Sequence, residues 1–114
     1  MDNSEKIDRY RRVLQETIER HAQMATEPPQ PESFVICDTV HDHYLLMDVG
    51  WEANKRAHYI VIHLRLKDGK VHIEEDGIEY GIAYDLIDAG IPAEDIMVAV
   101  DNPQPRPLSE LAAA

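Results

Sequence analysis

Aromatic residues, cysteine and basic charge are all scarce in this chain of 114 residues. Phe, Trp and Tyr together make up 6% of the residues, which argues against a surface that stacks single-stranded nucleic acid bases. The single cysteine, Cys37, cannot close a disulfide within the chain and lies in an apolar run, so we interpret it as a small buried side chain. No apolar run approaches the ~18 residues that span a bilayer, and the N-terminus is polar, which predicts a cytoplasmic protein.

Lysine and arginine are absent from residues 71–105 of a chain whose formal net charge is −11. This balance opposes binding to DNA phosphates through a broad surface, so direct DNA binding is not expected. We call residues 71–105 the acidic lobe and predict that it docks a basic protein partner, because uncompensated carboxylates attract cationic surfaces. A solvated face without a partner is the alternative interpretation. The predicted partner-binding residues are Glu74, Glu79, Asp85, Asp88, Glu94, Asp95 and Asp101.

An amphipathic pattern near the N-terminus predicts a long helix over residues 5–25. Apolar residues recur at steps of three and four from Ile7 to Ile18, which gives a helix one apolar face. The arginines of this helix alternate with acids, and this favours ion pairs within the helix over entry into a DNA groove. The proline-containing residues 26–32 are expected to form an extended linker that is too short to separate domains.

Two hairpins are predicted between residues 43 and 76. The first joins strands at 43–51 and 58–67 across polar turn formers. The second turns at Asp68-Gly69, a pair that favours a type I′ turn because both central residues need positive φ. Pairing Lys67 with Lys70 then sets apolar residues opposite apolar ones, so the sequence specifies this register well.

Alternation along these strands predicts which side chains face the core. On the first strand of the first hairpin, we expect the core face to contain His43, Leu45, Met47, Val49 and Trp51. Phe34, on an earlier strand, is also expected in the core. On the second strand of that hairpin, one side is predicted to carry Ile60, Ile62, Leu64 and Leu66.

The whole chain, residues 1–114, is predicted to be a single α+β domain. A long N-terminal helix packs on a twisted antiparallel sheet of at least four strands. A second short helix near the C-terminus follows from the period of Ile78, Ile82 and Leu86, and Gly90 is expected to end it. One helix covers one face of the sheet, so the opposite face and the edges remain for a protein partner or a second copy.

Histidines suggest the one alternative chemistry that the sequence offers. His41 and His43 flank Asp42, and with His63 or His72 they could be imagined to hold zinc or iron in a small metal-dependent enzyme. His41 falls in a predicted turn, however, and histidines on strands are usually polar-face residues. The sequence also has no phosphate-binding loop, nucleophile elbow or paired cysteine motif. We therefore predict no catalytic, cofactor-binding or metal-binding residues, and no enzyme.

A spaced pattern of residues also runs through the chain. It consists of Asp38, His43-Tyr44, Gly50-Trp51, Arg56 and His63, followed by the segment GIAYDLIDAGIPAEDI from Gly81 to Ile96. This pattern resembles the XisI family, whose small members are known as fdxN element excision controlling factors, and the resemblance extends from about Tyr10 to Leu111.

The XisI resemblance implies a role in the programmed excision of a DNA element in filamentous nitrogen-fixing bacteria, beside a site-specific recombinase. It also implies a companion protein, XisH, whose family resembles endonucleases. We therefore expect a non-enzymatic regulatory protein that binds an XisH-like companion. The alternative within this class is an acidic inhibitor that masks the DNA-binding face of a nuclease-like partner.

Overall fold

A six-stranded sheet and one long helix dominate the computed structural model, which describes residues 3–24 and 31–111. The helices are α1 (Asn3–Gln23), α2 (Ala83–Asp88) and α3 (Leu108–Leu111), with a single 3₁₀ turn at Ala93–Asp95. The strands are β1 (Glu32–Asp38), β2 (His43–Glu52), β3 (Lys55–Lys67), β4 (Lys70–Asp76), β5 (Ile96–Val98) and β6 (Arg106–Pro107). The predicted α+β class is confirmed. Most of the predicted linker, and the predicted end of the first helix at Ala25, lie outside the described residues.

The sheet follows chain order from β1 to β6. Neighbouring strands are antiparallel except β4 and β5, which pair in parallel through Val71 and Ile96. The sequence predicted an antiparallel sheet, and this parallel pair arises because α2 and the 3₁₀ turn form the crossover that parallel strands need. No helix among the described residues is both long and apolar enough to cross a membrane.

The core lies between α1 and one face of the sheet, which we call the inner face. Tyr10, Leu14 and Ile18 repeat on one side of α1 and are almost completely buried. They pack against inner-face residues of the central strands, among them Tyr44 and Leu64. The apolar stripe of α1, with residues three or four positions apart, thus packs against a sheet face whose apolar residues alternate along each strand. The burial of both surfaces supplies the main driving force for this packing.

The turn between β3 and β4 has the predicted geometry. Asp68 and Gly69 have φ values of 54° and 75°, as a type I′ turn requires. The register is also as predicted from Lys67 opposite Lys70 to Leu64 opposite Ile73. Beyond that point the pairing shifts by one residue, so His63 lies opposite Glu75 and not opposite Glu74 as expected.

A β-bulge at Val61 changes the sidedness of β3. Leu46 pairs with Ile62 but the next residue, Met47, pairs with Ile60, which leaves Val61 as an extra residue. The backbone N–H of Gly77 donates to the Val61 carbonyl at 2.7 Å. Because side chains alternate along a strand, the extra residue moves Ile60 to the face opposite that of Ile62. The predicted grouping of Ile60 with the core residues of β3 is therefore wrong.

The predicted core face of β2 is also wrong. Tyr44 and Leu46 point to the inner face and are buried, whereas Trp51 on the predicted core face is 56% exposed. Phe34, likewise expected in the core, is 42% exposed. The physical reason is that β2 has apolar side chains on both faces, so alternation alone does not show which face α1 covers.

Gly90 ends α2, as the sequence predicted. This glycine has φ of 99°, and its N–H donates to the Ile87 carbonyl at 2.9 Å. The next N–H, of Ile91, donates to the Leu86 carbonyl at 3.0 Å. These two bonds form a Schellman motif, which satisfies the last carbonyls of the helix and turns the chain toward β5.

Candidate functional site

Three aspartates tie α1 to the rest of the molecule. The first is Asp42, in the turn between β1 and β2, which accepts hydrogen bonds from Arg11 Nε at 2.9 Å and Nη2 at 3.2 Å. The Tyr44 hydroxyl also donates to Asp42, at 2.7 Å. Burial acts to raise the pKa of Asp42, but the bonds from Arg11 and Tyr44 outweigh it and hold that pKa below its usual range.

Asp85 is the second of these aspartates and belongs to the acidic lobe. Its Oδ2 atom lies 2.5 Å from Nε2 of the buried His21 and accepts a 2.8 Å hydrogen bond from the Tyr80 hydroxyl. Burial acts to raise the pKa of Asp85, but these two hydrogen bonds outweigh it, so the pKa lies below its usual range. Asp85 therefore holds α2 against the C-terminal end of α1.

Asp95 is the third and holds the N-terminal half of α1. Its Oδ2 atom accepts the Tyr10 hydroxyl at 2.5 Å and lies 3.0 Å from the Lys6 ammonium. Burial, followed by the bond to Asp95, raises the pKa of Tyr10 to about 12, so this hydroxyl keeps its proton at neutral pH. The aspartate is thus a structural partner of two α1 side chains.

The structure divides the seven predicted partner-binding acids into two groups. Asp85 and Asp95 are engaged as described, and Glu74 Oε2 lies 3.3 Å from Arg65 Nη1. Cations of α1 also approach this side, since Arg20 lines a groove together with Asp85. In the folded protein, basic side chains from other elements therefore lie beside the acidic lobe, although the lobe itself contains no lysine or arginine. The four acids that remain exposed are Glu79, Asp88, Glu94 and Asp101.

The outer face of β1, β2 and β3 carries an apolar patch whose residues include several that the sequence placed in the core. Trp51 and Phe34 are exposed as given above, and Ile36 and Ile60 are 46% and 38% exposed. α1 packs on the inner face, α2 packs against α1, and α3 packs against β5, β6 and the 3₁₀ turn, so we find no helix of the described residues on this patch. The signal in the sequence was the apolar character of both faces of β2. We call this surface the open face, made of Phe34, Ile36, Leu45, Met47, Val49, Trp51 and Ile60.

The histidines do not gather into one site. His43 Nδ1 lies 3.0 Å from His63 Nε2, a separation that fits one hydrogen bond between the two rings. His41 instead bonds to Asp38 Oδ2 at 2.8 Å, where both side chains meet solvent. Within residues 3–24 and 31–111, no group of three or more His, Cys, Asp or Glu is placed to hold a metal ion. The structure thus offers a histidine pair at one end of the open face in place of the set imagined from sequence.

Cys37 is half-buried and packs against the core from the inner face. Burial raises the pKa of its thiol. A thiol with a raised pKa stays protonated at neutral pH and is a poor nucleophile. This environment agrees with the interpretation of Cys37 as a packing residue.

A groove of about 330 Å³ lies between the end of α1 and the inner face. Its polar lining comprises His21, Ser33, Asp48, Glu52 and Tyr59. The Ser33 hydroxyl donates to Asp48 at 2.7 Å, and the Tyr59 hydroxyl donates to Glu52 at 3.4 Å. Because neighbouring side chains already engage both carboxylates, we assign this groove no ligand.

Two half-buried histidines, His63 and His72, predict that the free energy of unfolding declines in mild acid. Burial is the main cause that lowers the pKa of both His63 and His72. The unfolded chain takes up protons on these rings near pH ~6.5, before the folded chain does, so the free energy of unfolding rises with pH below that value. Their contribution is therefore complete above pH ~6.5 and is lost as pH falls through the lower folded pKa.

Urea unfolding midpoints measured between about pH 8 and pH 5 test this expectation. We expect the double variant His63→Gln/His72→Gln to show a flatter dependence on pH than the wild type. The matched control is His41→Gln/His58→Gln, because both of these rings are exposed. Equal slopes for the wild type and the His63/His72 variant would contradict the expectation.

Known proteins share the fold of this chain. The sequence profile described as XisI protein matches residues 1–113. A crystal structure of a XisI-like protein from Anabaena variabilis ATCC 29413 is 29% identical, with a TM-score of 0.79 over 85% of this chain and 89% of that one. The fdxN element excision controlling factor XisI from the same organism is 32% identical, with a TM-score of 0.73 over 86% and 89%. No curated protein matches the sequence. Because the family profile spans nearly the whole sequence, this chain belongs to the XisI family.

Proposed function

We propose that this chain takes part in the control of DNA-element excision, as a non-enzymatic accessory protein that binds a protein companion. Membership of the XisI family and the likeness to an fdxN element excision controlling factor support this role. The companion that fits is an XisH-like protein of nuclease fold. Such a protein presents a basic face to DNA, and a basic face is complementary to exposed carboxylates.

The proposed companion-binding surface rests on four exposed acids of the acidic lobe. Glu79, Asp88, Glu94 and Asp101 make no ion pair with any side chain of the described residues. Carboxylates in this state remain available to a cationic partner, and their charge accelerates encounter with it. Asp85, Asp95 and Glu74 contribute to the same field but are held by partners within the fold.

Direct binding to DNA is the weaker proposal, because two of the four arginines of α1 are engaged within the fold. Arg11 binds Asp42 through two nitrogens. Arg9 lies 5.1 Å from the centroid of the Tyr10 ring, a cation–π distance. The net charge of −11 further opposes approach to phosphate.

An acidic inhibitor is the second candidate function, and the same exposed acids favour it. Carboxylates arranged on a surface can occupy the site where a nuclease-like companion binds phosphate. The two candidates differ in outcome, because an inhibitor lowers DNA binding by the companion whereas an activating partner maintains or raises it. A DNA-binding assay of the companion, with and without this chain, separates them.

Reversing the exposed acids is expected to weaken the companion complex. The triple variant Glu79→Lys/Asp88→Lys/Glu94→Lys replaces carboxylates that make no ion pair within the described part of the fold. We expect its affinity for a purified XisH-like companion to fall by roughly tenfold or more, and the salt dependence of binding to decrease. Co-purification followed by calorimetry measures both effects.

The matched control for this experiment carries the same charge change on α1. The variant Glu5→Lys/Glu16→Lys/Glu19→Lys also moves the formal net charge from −11 to −5, because three lysines in place of three acids add six charges. We expect it to bind the companion nearly as well as the wild type. An equal loss in both variants would show a general charge effect, and tight sequence-specific binding of duplex DNA by the wild-type chain would overturn the proposal.

A further inference from the structure

The open face has the composition of an interface core. Its apolar side chains lie in adjacent rows, since Ile36 is opposite Leu45 and Met47 is flanked by Phe34 on one side and Ile60 on the other. Trp51, the one tryptophan of the chain, extends these rows toward the tip of the β2–β3 hairpin. Contiguous exposed apolar patches of this kind mark interaction sites. Tryptophan is enriched among the residues that contribute most of the binding energy at such sites.

The size of the sheet face is compatible with a stable complex. Strands lie ~4.8 Å apart and rise ~3.3 Å per residue, so three strands over the length of β2 present a face on the order of 500 Å². A typical stable interface takes about 800 Å² from each partner. The face together with its rim therefore approaches what a dimer requires.

Charge on and around this face favours a second copy of the same chain. Arg56 and Arg65 occur there together with Glu32, Glu74 and Glu75, so the two signs nearly balance. The whole chain, in contrast, carries a formal charge of −11, and two copies repel each other at most other surfaces. A nearly neutral apolar face is where they can meet, and it offers little charge to attract a basic companion.

A two-fold arrangement fits the direction of the strands. A two-fold axis that lies between two such sheets, perpendicular to the strands and level with Met47, reverses the strand direction. It brings the hairpin end of each open face, with Trp51 and Arg56, over the end of the other face that carries His43 and His63. Such an isologous arrangement repeats each favourable contact twice.

We propose that a second copy of this chain packs its open face against this one, so that the protein is a two-fold homodimer with Trp51 in the interface. Companion binding through the four exposed acids of the acidic lobe, as proposed above, uses residues outside the open face and is independent of this contact. Salt distinguishes the two, because screening relieves repulsion between two acidic chains but weakens the attraction of acids for a basic partner.

Sedimentation velocity at micromolar concentrations tests the dimer. We expect the wild type to sediment as a species of twice the 13.0 kDa chain mass, and the variant Phe34→Lys/Ile60→Lys to sediment as a monomer. The control variant Val40→Lys/Tyr84→Lys adds the same charge at apolar residues that are 81% and 67% exposed elsewhere, and we expect it to remain dimeric. Circular dichroism confirms that each variant is folded.

Fluorescence of Trp51 gives a second measurement on the unmodified chain. We expect its emission to shift to shorter wavelength as concentration rises, because the dimer removes the indole ring from water. The milder variant Trp51→Ser should weaken the dimer as well, and it keeps the test valid if the double lysine variant does not fold. Added salt should leave the dimer unchanged or strengthen it.

Three results would overturn the proposal. One is a wild-type chain that stays monomeric at all these concentrations. Another is a dimer that neither Phe34→Lys/Ile60→Lys nor Trp51→Ser weakens, which would place the contact outside the open face. The last is a monomeric wild type whose binding to an XisH-like companion is lost in the folded double lysine variant, which would assign the open face to the companion. The acid-reversal variant should dimerise normally whether or not it binds the companion.

Discussion

Replacing Tyr44 with alanine is expected to lower the free energy of unfolding by about 3–5 kcal/mol. Its ring is fully buried between α1 and the inner face, so truncation leaves a cavity in the centre of the core. The lost hydroxyl also removes a donor from Asp42, the aspartate that binds Arg11. Burial, followed by the bond to Asp42, raises the pKa of this hydroxyl above its ordinary value, which keeps it protonated as that donor.

Trp51→Ala is the contrast to Tyr44→Ala. We expect it to cost about 1 kcal/mol or less in dilute protein, because a side chain that is 56% exposed loses little packing on truncation. Urea unfolding at low protein concentration, where association adds no stability, measures both variants. A larger loss for Trp51→Ala than for Tyr44→Ala would mean that the inner and outer faces of β2 are assigned the wrong way round.

Asp85→Ala is expected to give the second large effect, a loss of about 1–3 kcal/mol. The substitution leaves the buried ring nitrogen of His21 and the hydroxyl of Tyr80 without their shared acceptor. Asp88→Ala is the matched control, because Asp88 lies on the same short helix and is exposed. We expect the free energy of unfolding of Asp88→Ala to stay within about 0.5 kcal/mol of the wild-type value.

The effect of Asp85→Ala should also depend on pH in a defined direction. The folded pKa of Asp85 lies below that of the unfolded chain, so the carboxylate stabilises the fold above pH ~3.9 and that contribution is lost as pH falls through the folded pKa. The difference between wild type and variant should therefore be full at neutral pH and should narrow in strong acid. A difference that stays constant from neutral to strongly acidic solution would contradict the assigned role.

Local signals in the sequence were sufficient for the β3–β4 turn and for the order of the elements from α1 to α2. Asp68-Gly69 fixes a type I′ turn because a glycine adopts positive φ without strain, and the apolar pattern on either side then sets the register. Gly90 ended α2 for the same conformational reason. Both predictions depend on residues close to each other in the chain, where backbone geometry decides the outcome.

The sequence predicted that one face of the sheet stays uncovered but not which side chains form it, because hydrophobic patterning does not distinguish a core from an exposed apolar surface. Leu45, Met47 and Val49 alternate as a buried face would, and the opposite face of β2 includes a polar Asp48. Position beneath α1, not apolar content, decides which face becomes the core. The alternation therefore favoured the more apolar face of β2 as the core face, and the structure leaves that face outside.

The three aspartate anchors of α1 were missed for a different reason. The bonds that Asp42, Asp85 and Asp95 make to α1 join residues separated by 31, 64 and 85 positions. A pairing at such separation depends on how the helix is placed across the sheet, which a single sequence does not specify. The uniform acidity of residues 71–105 therefore suggested one binding surface, although part of it neutralises and orients the helix.

The bulge at Val61 lets β3 carry one residue more than β2 while the strands keep their pairing on both sides of it. Without Val61, Ile60 would directly precede Ile62 in a regular ladder and would still lie opposite Met47 on the open face, because successive side chains of a strand alternate between the two faces. A three-nucleotide deletion in the gene that removes this residue would therefore leave the apolar surface in place but take away the carbonyl that accepts the Gly77 N–H. The extra residue thus serves the connection that follows β4, and the apolar surface does not depend on it.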